Sequence, residues 1–365
     1  MADTLYFSRD TKVFIEIGNN VWEIPVLDGF SFSQATNTSE ITLNEMADTS
    51  GNSRRGRRMF NDSYAPAEWS FSTYMRPFKS TGAGVGAADN TADSHHGVEE
   101  VLWALMVGDA SYSAFDFTGF TRDTTDLDIT FANSNKTTLG TADFFFVMGG
   151  ATSGTKTTYK IEGCVVNEAA IDFDIDGIAT INWSGFGKII TEDTAPTATI
   201  TEAVTSTSNF IRNRLTALAL TTSAGGNHPA TYNVVLTGGN VTIANNITFL
   251  TPETLGVVNQ PIGHVTGTRS VSGNFTCYLN AEDDSSAELF ENLIEDTTSI
   301  TNDFELVFKI GGASGTPRVE LDMQACHLEI PTHSIDDIIS LETNFHALPS
   351  TIEGHNELAI KYVGA

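Results

Sequence analysis

The sequence carries one series of motifs twice, and this internal duplication constrains the fold more than any other feature. The matched segments occur in the same order in both halves of the chain, which is hard to obtain by chance. They are Leu27–Ser33 with Leu236–Ala244, Phe71–Met75 with Phe275–Leu279, Gly97–Met106 with Ser285–Ile294, Cys164–Val166 with Cys326–Leu328, and Ile175–Ile178 with Ile335–Ile338. The pattern predicts two tandem modules, residues 1–190 and 209–365. The Thr/Ala/Ser-rich residues 191–208 between them are predicted to be a linker.

Each module is predicted to consist mainly of β-strands. Within Glu68–Met75, apolar and polar side chains alternate, which is typical of a strand with one buried face. The same alternation recurs in Asp126–Phe131, Tyr159–Val165, Ile171–Trp183, Asn240–Phe249, Phe304–Ile310 and Val319–Leu328. The predicted class is mainly β, with two tandem β-sandwich or β-barrel modules.

Each module also contains one predicted amphipathic α-helix. In the first module, Gly97 is followed after three residues by Glu100 and then by a run of apolar residues. In the second, Ser285 and Glu288 have the spacing of a capping box ahead of an equivalent apolar stripe.

The charge of the chain is strongly acidic, with 46 Asp and Glu residues against 19 Lys and Arg and a net charge of -27. Both halves are acidic, so the charge is not confined to a tail. A protein that wraps nucleic acid needs a basic face to displace counterions from phosphates. This chain is therefore not expected to wrap DNA, although it could surround DNA without binding it tightly.

Other features of the composition limit the location of the protein. No apolar run approaches the roughly 20 residues that cross a bilayer, and the N-terminus has no pattern of a signal peptide. We therefore expect neither a membrane span nor secretion. The three cysteines, Cys164, Cys277 and Cys326, are expected to be buried thiols in a reducing compartment rather than a disulfide framework.

Three segments resemble sites for chemistry, and each departs from the pattern that the chemistry needs. Gly149–Thr157 resembles a phosphate-binding loop, but Thr155 separates the last glycine from Lys156, and an alternating strand follows instead of a helix. We therefore predict a flexible hairpin turn there. His95 and His96 are expected to be solvated loop histidines, because no further metal ligand lies nearby in the sequence.

Asp172–Gly177 resembles the start of a calcium loop, but its twelfth position is Trp183 instead of a glutamate. Phe173 and Ile175 alternate with the three acids, so a strand with one polar and one apolar face is the better interpretation. In the second module Thr332, Ser334 and Asp336 stand where Asp172, Asp174 and Asp176 stand in the first. No catalytic motif, cofactor site or metal site is predicted, and the chain is not expected to be an enzyme.

Four of the 19 basic residues, Arg54, Arg55, Arg57 and Arg58, lie within five positions of a long polar stretch. They could form a solvated loop or reach an acidic neighbour during assembly, since charge complementarity orients partners. A nucleic-acid patch is a third possibility, although the aromatic residues that accompany such patches are missing there.

Two segments, Arg57–Ser63 and Ala67–Tyr74, resemble the major tail tube proteins of bacteriophages with long, non-contractile tails, the siphophages. Asn245–Pro252 and Trp183–Gly185 are similar to the same family, and the resemblance extends over nearly the whole chain. More narrowly, the chain is similar to the members that fuse two tube modules in one polypeptide. Some of those members carry an additional immunoglobulin-like domain at the C-terminus, and we expect this tube to be without it because the sequence ends at Ala365.

The resemblance implies a structural virion protein that forms homotrimeric rings, in which six modules join their inner strands into one β-barrel. Stacked rings would form the tail tube, a conduit for DNA ejection. The implied partners are copies of the chain, other tail proteins such as the tape measure and terminator, and passing double-stranded DNA that is not bound specifically. The location would be the virion tail, and the host cytoplasm during assembly. A tail-tip or baseplate adaptor with the same fold is the alternative.

Two sets of site residues follow. Arg54, Arg55, Arg57 and Arg58 are predicted to bridge stacked rings. The acids Asp172, Asp174, Asp176 and Asp336 are predicted to face the bore, because alternation directs them away from the core and one face of every strand in a closed barrel lines the lumen. The outer surface of the tube is the competing location for these acids.

Overall fold

The fold is described from a computed structural model. It covers residues 6–27, 29–41, 49–51, 57–82, 84–108, 111–113, 115–131, 139–149, 156–205, 209–223, 228–295, 298, 302–315 and 317–364. Nearly all regular structure in these residues is antiparallel β-sheet, so the predicted mainly β class is confirmed.

The strands are numbered in chain order. In residues 1–205 they are β1 (Lys12–Ile17), β2 (Asn20–Ile24), β3 (Phe30–Glu40), β4 (Met59–Tyr74), β5 (Pro77–Lys79), β6 (His95–Gly97), β7 (Tyr112–Ser113), β8 (Asp116–Phe117), β9 (Phe120–Arg122), β10 (Leu127–Thr130), β11 (Ala142–Gly149), β12 (Lys156–Asp174), β13 (Thr180–Gly187) and β14 (Ile190–Asp193). In residues 209–364 they are β15 (Ala217–Thr222), β16 (Thr231–Tyr232), β17 (Leu236–Ala244), β18 (Thr248–Leu250), β19 (Gly263–Val265), β20 (Ser270–Tyr278), β21 (Phe304–Ile310), β22 (Arg318–Leu328), β23 (Thr332–Ile335), β24 (Ile339–Ala347) and β25 (Ala359–Val363).

Eight strands form one continuous antiparallel sheet, which we call the shared sheet. Their order is β3–β4–β13–β12–β17–β20–β24–β23. The first four come from the first predicted module and the last four from the second. The ladder between β12 and β17 therefore joins the two modules within one chain.

The two halves of the shared sheet have the same strand order and comparable contacts, which is consistent with the predicted duplication. Tyr74 ends β4 opposite the start of β13, and Tyr278 ends β20 opposite the start of β24. Cys164 and Cys326 are both buried free thiols, as predicted, and each Sγ donates to the carbonyl oxygen three residues earlier, at 3.4 and 3.7 Å.

The register changes one detail of the sequence comparison. Asp172 lies opposite Thr180 across the β12–β13 hairpin, whereas Ser334 lies opposite Ser340 across the β23–β24 hairpin. The second hairpin is therefore two residues shorter, and Asp172 corresponds to Ser334 instead of Thr332. Because a shift of two residues keeps every side chain on its face, the predicted polar face is unaffected.

Two flanking sheets cover one face of the shared sheet. The first has the order β2–β1–β11–β12–β14, and the second has the order β16–β15–β21–β22–β25–β10–β9. Strand β12 takes part in both layers, because its first half pairs in a flanking sheet and its second half in the shared sheet. Strand β22 belongs to the second flanking sheet, and its last residues, Cys326–Leu328, also pair with β24 at the edge of the shared sheet. Strands β9 and β10 of the first module lie in the second flanking sheet, so both layers join the modules.

Large aromatic residues fill the space between these layers. The rings of Trp69 and Phe144 lie 4.6 Å apart in the first module, and those of Phe308 and Phe345 lie 5.7 Å apart in the second. Phe173 of the first module is 5.0 Å from Phe308 of the second. One hydrophobic core thus runs through both modules, and each fully buried aromatic side chain contributes about 2–3 kcal/mol of hydrophobic stabilisation.

Helices α1 (Glu100–Val107), α2 (Glu202–Thr205) and α3 (Ser286–Glu295) accompany the strands. The predicted helices at α1 and α3 are present. The prediction that α1 is amphipathic was wrong, because every residue of α1 is buried. Helix α3 is amphipathic, with Leu289 and Leu293 buried and Glu291 and Glu295 exposed, but Ile294 of the predicted apolar stripe is exposed. Its predicted capping box is altered, because Glu288 accepts a hydrogen bond from Asp284 N at 2.8 Å.

The described part of the predicted linker, residues 191–205, packs against the first module. It begins within β14, and Ile200 lies beside Trp22. Glu202 accepts hydrogen bonds from Ser80 Oγ at 2.9 Å and Ala88 N at 2.8 Å. Ala198 packs on an outer apolar cluster, so that β11 is buried on both faces; the cluster consists of Phe14, Val21, Phe145 and Val147. The module boundaries remain a prediction.

Candidate functional site

The β12–β17 ladder is the first candidate surface for assembly, because it shows how one module pairs with another. It runs from Glu168 opposite Ala244 to Asp174 opposite Gly238, with Asp172 opposite Asn240 in the middle. Pairing over this length satisfies the backbone N–H and C=O groups along the facing edges of both strands.

Asn245 stabilises one end of the β12–β17 ladder, which we call the joint between the modules. Its side chain is buried, and its Nδ2 donates hydrogen bonds to Met106 O at 2.9 Å and to Val166 O at 3.2 Å. Its backbone N–H donates to Asn167 O at 2.8 Å. The start of the loop after β17 is therefore tied to both α1 and β12, which fixes the register of the joint.

The last strand of the chain also connects the two modules, in the second flanking sheet. Strand β25 lies between β10 of the first module and β22 of the second. From it, the Tyr362 hydroxyl donates to Glu99 Oε1 at 2.6 Å and accepts a hydrogen bond from Trp103 Nε1 at 2.6 Å. Burial of the Glu99 carboxyl raises its pKa to about 7, although Tyr362 and Arg76 favour the charged form.

The shared sheet has two outermost strands, β3 and β23. Within the described residues β3 pairs only with β4, and β23 pairs only with β24. The segment Phe30–Gln34 of β3 corresponds to the joint strand β17, and β23 corresponds to the end of β12. The two strands that pair with each other inside the chain, β12 and β17, therefore have equivalents at the two edges of the shared sheet, each with one side that is unpaired among the described residues.

The uncovered face of the shared sheet is polar across all eight strands. Its side chains are mostly hydroxyls, amides and carboxylates, among them Ser31, Ser70, Asn182, Asp172, Asn240, Asn274, Glu342 and Asn344. They are linked laterally: Asn182 Nδ2 donates to Asp172 at 3.2 Å, and Asn274 Nδ2 donates to Glu342 at 2.9 Å. With β12 counted from Val165, these eight strands contain no lysine or arginine.

Comparison with known proteins identifies the family of the chain. The family model described as phage tail tube protein matches residues 36–347. The chain belongs to the phage tail tube protein family. It is also 30% identical over 369 residues to tail tube protein pb6 of Escherichia phage T5, a match that covers 97% of this chain and 75% of the relative. As a tail tube protein, the chain is a structural component of the virion tail.

In this tail tube protein, Asp172 and Asp174 lie exposed on the polar face, with Phe173 buried between them. The expected burial of Ile175 was wrong, because β12 ends at Asp174 and Ile175 is 44% exposed in the following turn. Asp176 also lies in this turn, where its Oδ1 is 3.8 Å from Arg214 Nη1. Asp336 is exposed in the shorter turn between β23 and β24.

The predicted arginine cluster is described in part. Arg57 and Arg58 lie on an arm formed where β3 and β4 extend beyond the shared sheet, and Arg54 and Arg55 lie outside the described residues. Arg57 forms a two-pronged ion pair with Glu40 across the arm, which holds the pKa of that carboxyl below its ordinary value. Met59 and Phe60 beside it are 57% and 59% exposed.

The expectation of solvated histidines was wrong, because His95 and His96 are 2% and 0% exposed. His96 stacks on Phe78 with 5.2 Å between ring centroids, and its Nδ1 lies 3.0 Å from Glu100 Oε2. Burial alone would raise the pKa of Glu100, but Arg122 and His96 outweigh it and lower that pKa to about 2. These ionic groups form a buried polar cluster under α1.

The other segments considered for chemistry have structural roles. Gly149 pairs with Lys156, so the glycine-rich segment joins two antiparallel strands, as predicted; residues 150–155 themselves lie outside the described part. Among the described residues no group of three or more His, Cys, Asp or Glu side chains could hold a metal ion. In the same residues no helix is long and apolar enough to cross a membrane.

Proposed function

We propose that this chain is the repeating subunit of a siphophage tail tube, in which three chains close each ring and stacked rings enclose the path of DNA. The observation that carries this proposal is the in-chain β12–β17 ladder. The strands equivalent to β12 and β17 lie at opposite edges of the shared sheet, and among the described residues each has one unpaired side. Repetition of the same ladder between chains pairs both edges and continues the sheet around a ring.

The in-chain ladder predicts the register of the joint between chains. Asp172 corresponds to Ser334 and Asn240 corresponds to Ser31, because each pair holds the same position relative to its neighbouring strand. Asp172 and Asn240 are opposite each other within the chain. We therefore place Ser334 of one chain opposite Ser31 of the next.

The polar face of the shared sheet is proposed to line the bore. The other face is already covered by the two flanking sheets, and a closed barrel has room for those layers only on its outside. Asp172 and Asp174 then face the lumen from the strand, with Asp176 and Asp336 in the turns at one rim. The eight strands of the shared sheet, with β12 counted from Val165, carry no Lys or Arg, which avoids strong attraction of phosphates, so DNA can slide through.

The arm that carries Arg57 and Arg58 is proposed to bridge stacked rings, together with Arg54 and Arg55. It extends along the strand direction beyond the sheet, which in a ring is roughly the direction of the tube axis. Its exposed Met59 and Phe60 give it an apolar patch beside its positive charge. Head-to-tail contacts of this kind do not close, so they generate a filament.

Other tail proteins, such as a tape measure inside the tube and a terminator at its end, are the proposed further partners. We propose that assembly takes place in the host cytoplasm. A non-polymerising adaptor of the tail tip or baseplate is the alternative function, because the same ladder could close a single ring.

The test is negative-stain imaging of the purified protein together with mass measurement of isolated rings. We expect long tubes and a ring mass of three chains. Discrete rings that never stack would favour the adaptor, and rings of six chains would contradict the in-chain joint as the template for ring closure.

A further inference from the structure

Within the chain, the segment that opens the predicted second module covers the turn between β12 and β13. Ala179 N donates to Ile211 O at 2.9 Å, and Asn213 N donates to Gly177 O at 3.2 Å. This segment, residues 210–216, contains a short 3-10 helix, Asn213–Leu215. It therefore acts as a backbone clamp on the first module's turn.

In the turn that the clamp covers, the apolar side chains are less exposed than in the equivalent turn of the second module. Ala179 is 1% exposed, and Ile178 is 39% exposed. The equivalent turn of the second module lacks such a cover among the described residues. There Ile335, Ile338 and Ile339 are 77%, 61% and 37% exposed, which leaves an apolar turn at the edge of the shared sheet.

The segment equivalent to the clamp is the start of the chain itself. A 3-10 helix, Ser8–Asp10, precedes β1 as Asn213–Leu215 precedes β15. Both helices end in the same way, with the C-cap N–H donating to the carbonyl of the first helical residue. The match aligns Arg9 with Arg214, the residue that lies 3.8 Å from Asp176 in the covered turn.

We propose that Tyr6–Thr11 of one chain clamps the Ile335–Ile339 turn of the neighbouring chain in the same ring. This inference rests on the proposed ring, because it extends the in-chain joint to the joint between chains. In the isolated chain the Arg9 side chain is 80% exposed and lies 4.0 Å from its own neighbour Asp10.

Charge complementarity supports this occupant. Asp336 and Asp337 are exposed in the apolar turn, and among the described residues neither has an ion-pair partner. Equivalent placement brings Arg9 of the neighbouring copy to these two carboxylates, as Arg214 approaches Asp176 within the chain. The clamp then covers the isoleucines and supplies the missing cation at once.

The first experiment is charge reversal, read out as the subunit concentration at which half of the chains are in rings at low ionic strength. We expect Arg9→Glu to raise that concentration about threefold to tenfold. Adding Asp336→Lys with Asp337→Lys to Arg9→Glu should restore it, whereas adding Asp176→Lys should not. Unchanged assembly of Arg9→Glu, or equal rescue by Asp176→Lys, would overturn the proposal.

The second experiment is hydrogen exchange on wild-type chains before and after ring formation. We expect the amide of Ile339 to become protected on assembly, whereas the equivalent amide of Ala179, which donates to Ile211 O, is already slow in the isolated chain. If rings form and the Ile339 amide exchanges as fast as in the isolated chain, the clamp is refuted and the ring stands. If the chains form no rings at any concentration, the proposed function itself fails.

Discussion

The hydroxyl of Tyr362 lies 2.6 Å from Glu99 Oε1, so the last strand of the chain is hydrogen-bonded to the residue that precedes α1 in the first module. Glu99 is fully buried, and its Oε2 has no hydrogen-bond partner among the described residues. This contact therefore joins the last strand of the chain to the first module through a carboxyl group whose charge is costly to bury.

The first prediction concerns the pH dependence of stability. The pKa of Glu99 is raised from 4.5 to about 7, so the folded chain binds an extra proton between these values. This extra proton stabilises the folded chain. Its contribution to the free energy of unfolding is complete below about pH 4.5 and is lost as the pH rises through 7, a change of about 3 kcal/mol.

The Glu99→Gln variant should remove this dependence. Urea unfolding at pH 5 and pH 8 should show a smaller loss of unfolding free energy for Glu99→Gln than for the wild type. Glu100→Gln is a suitable control, because the pKa of Glu100 is lowered and its contribution is lost only at strongly acidic pH. An equal loss of unfolding free energy between pH 5 and pH 8 for the wild type and Glu99→Gln would show that Glu99 does not titrate in this range.

The second prediction tests the register between chains. Replacing Ser31 and Ser334 with cysteine should give disulfide-linked trimers on oxidation of assembled rings, because directly opposed residues on antiparallel strands are close enough for a disulfide. The matched control is Asp172→Cys with Asn240→Cys, which should crosslink within a single chain. Formation of the control disulfide without the trimer would contradict the proposed register.

The third prediction concerns the bore. Asp172→Lys with Asp174→Lys should leave tube assembly intact but slow DNA ejection, most strongly at low ionic strength. One carboxylate across roughly 20 Å of water repels a phosphate by only about 0.2 kcal/mol, so the effect depends on repetition along the tube. Glu192→Lys with Asp193→Lys makes the same charge change on β14 of the first flanking sheet and should leave ejection normal. Normal ejection by the first variant would place these acids outside the bore.

The fourth prediction concerns stacking. Replacing Arg54, Arg55, Arg57 and Arg58 with serine should leave folded chains that form rings but few tubes, as counted by electron microscopy. The control Glu40→Gln removes the ion-pair partner of Arg57 but keeps all four positive charges, so its tubes should form. Normal tubes from the serine variant at physiological salt would show that the cluster is only a solvated surface.

Local periodicity was sufficient to predict the strand-rich class and the polar face. Phe173 is buried and its neighbours Asp172 and Asp174 are exposed because a two-residue period is a property of the strand itself. The period ends where the strand ends, which is why the burial of Ile175 could not be predicted from alternation. The two-residue difference between the hairpins became visible only through the ladder.

The buried histidines required information from distant parts of the chain. His96 lies in the short strand β6, which follows a sequence of small and polar residues, and its stacking partner Phe78 and its charged neighbour Arg122 come from other segments. The one local signal was Glu100, four residues after His96, where a carboxylate can meet an imidazole. The packing of residues 191–205 was missed for a similar reason, because Glu202 binds groups more than one hundred positions earlier.

The β12–β17 ladder changes the thermodynamics of ring closure. Every chain that associates loses translational and rotational freedom, whatever the length of its interface. Because one polypeptide carries both modules, half of the ladders in the proposed ring form during folding and do not depend on subunit concentration. Dilution therefore acts only on the joints between chains, and a ring of fused modules should persist at concentrations where six separate modules would fall apart.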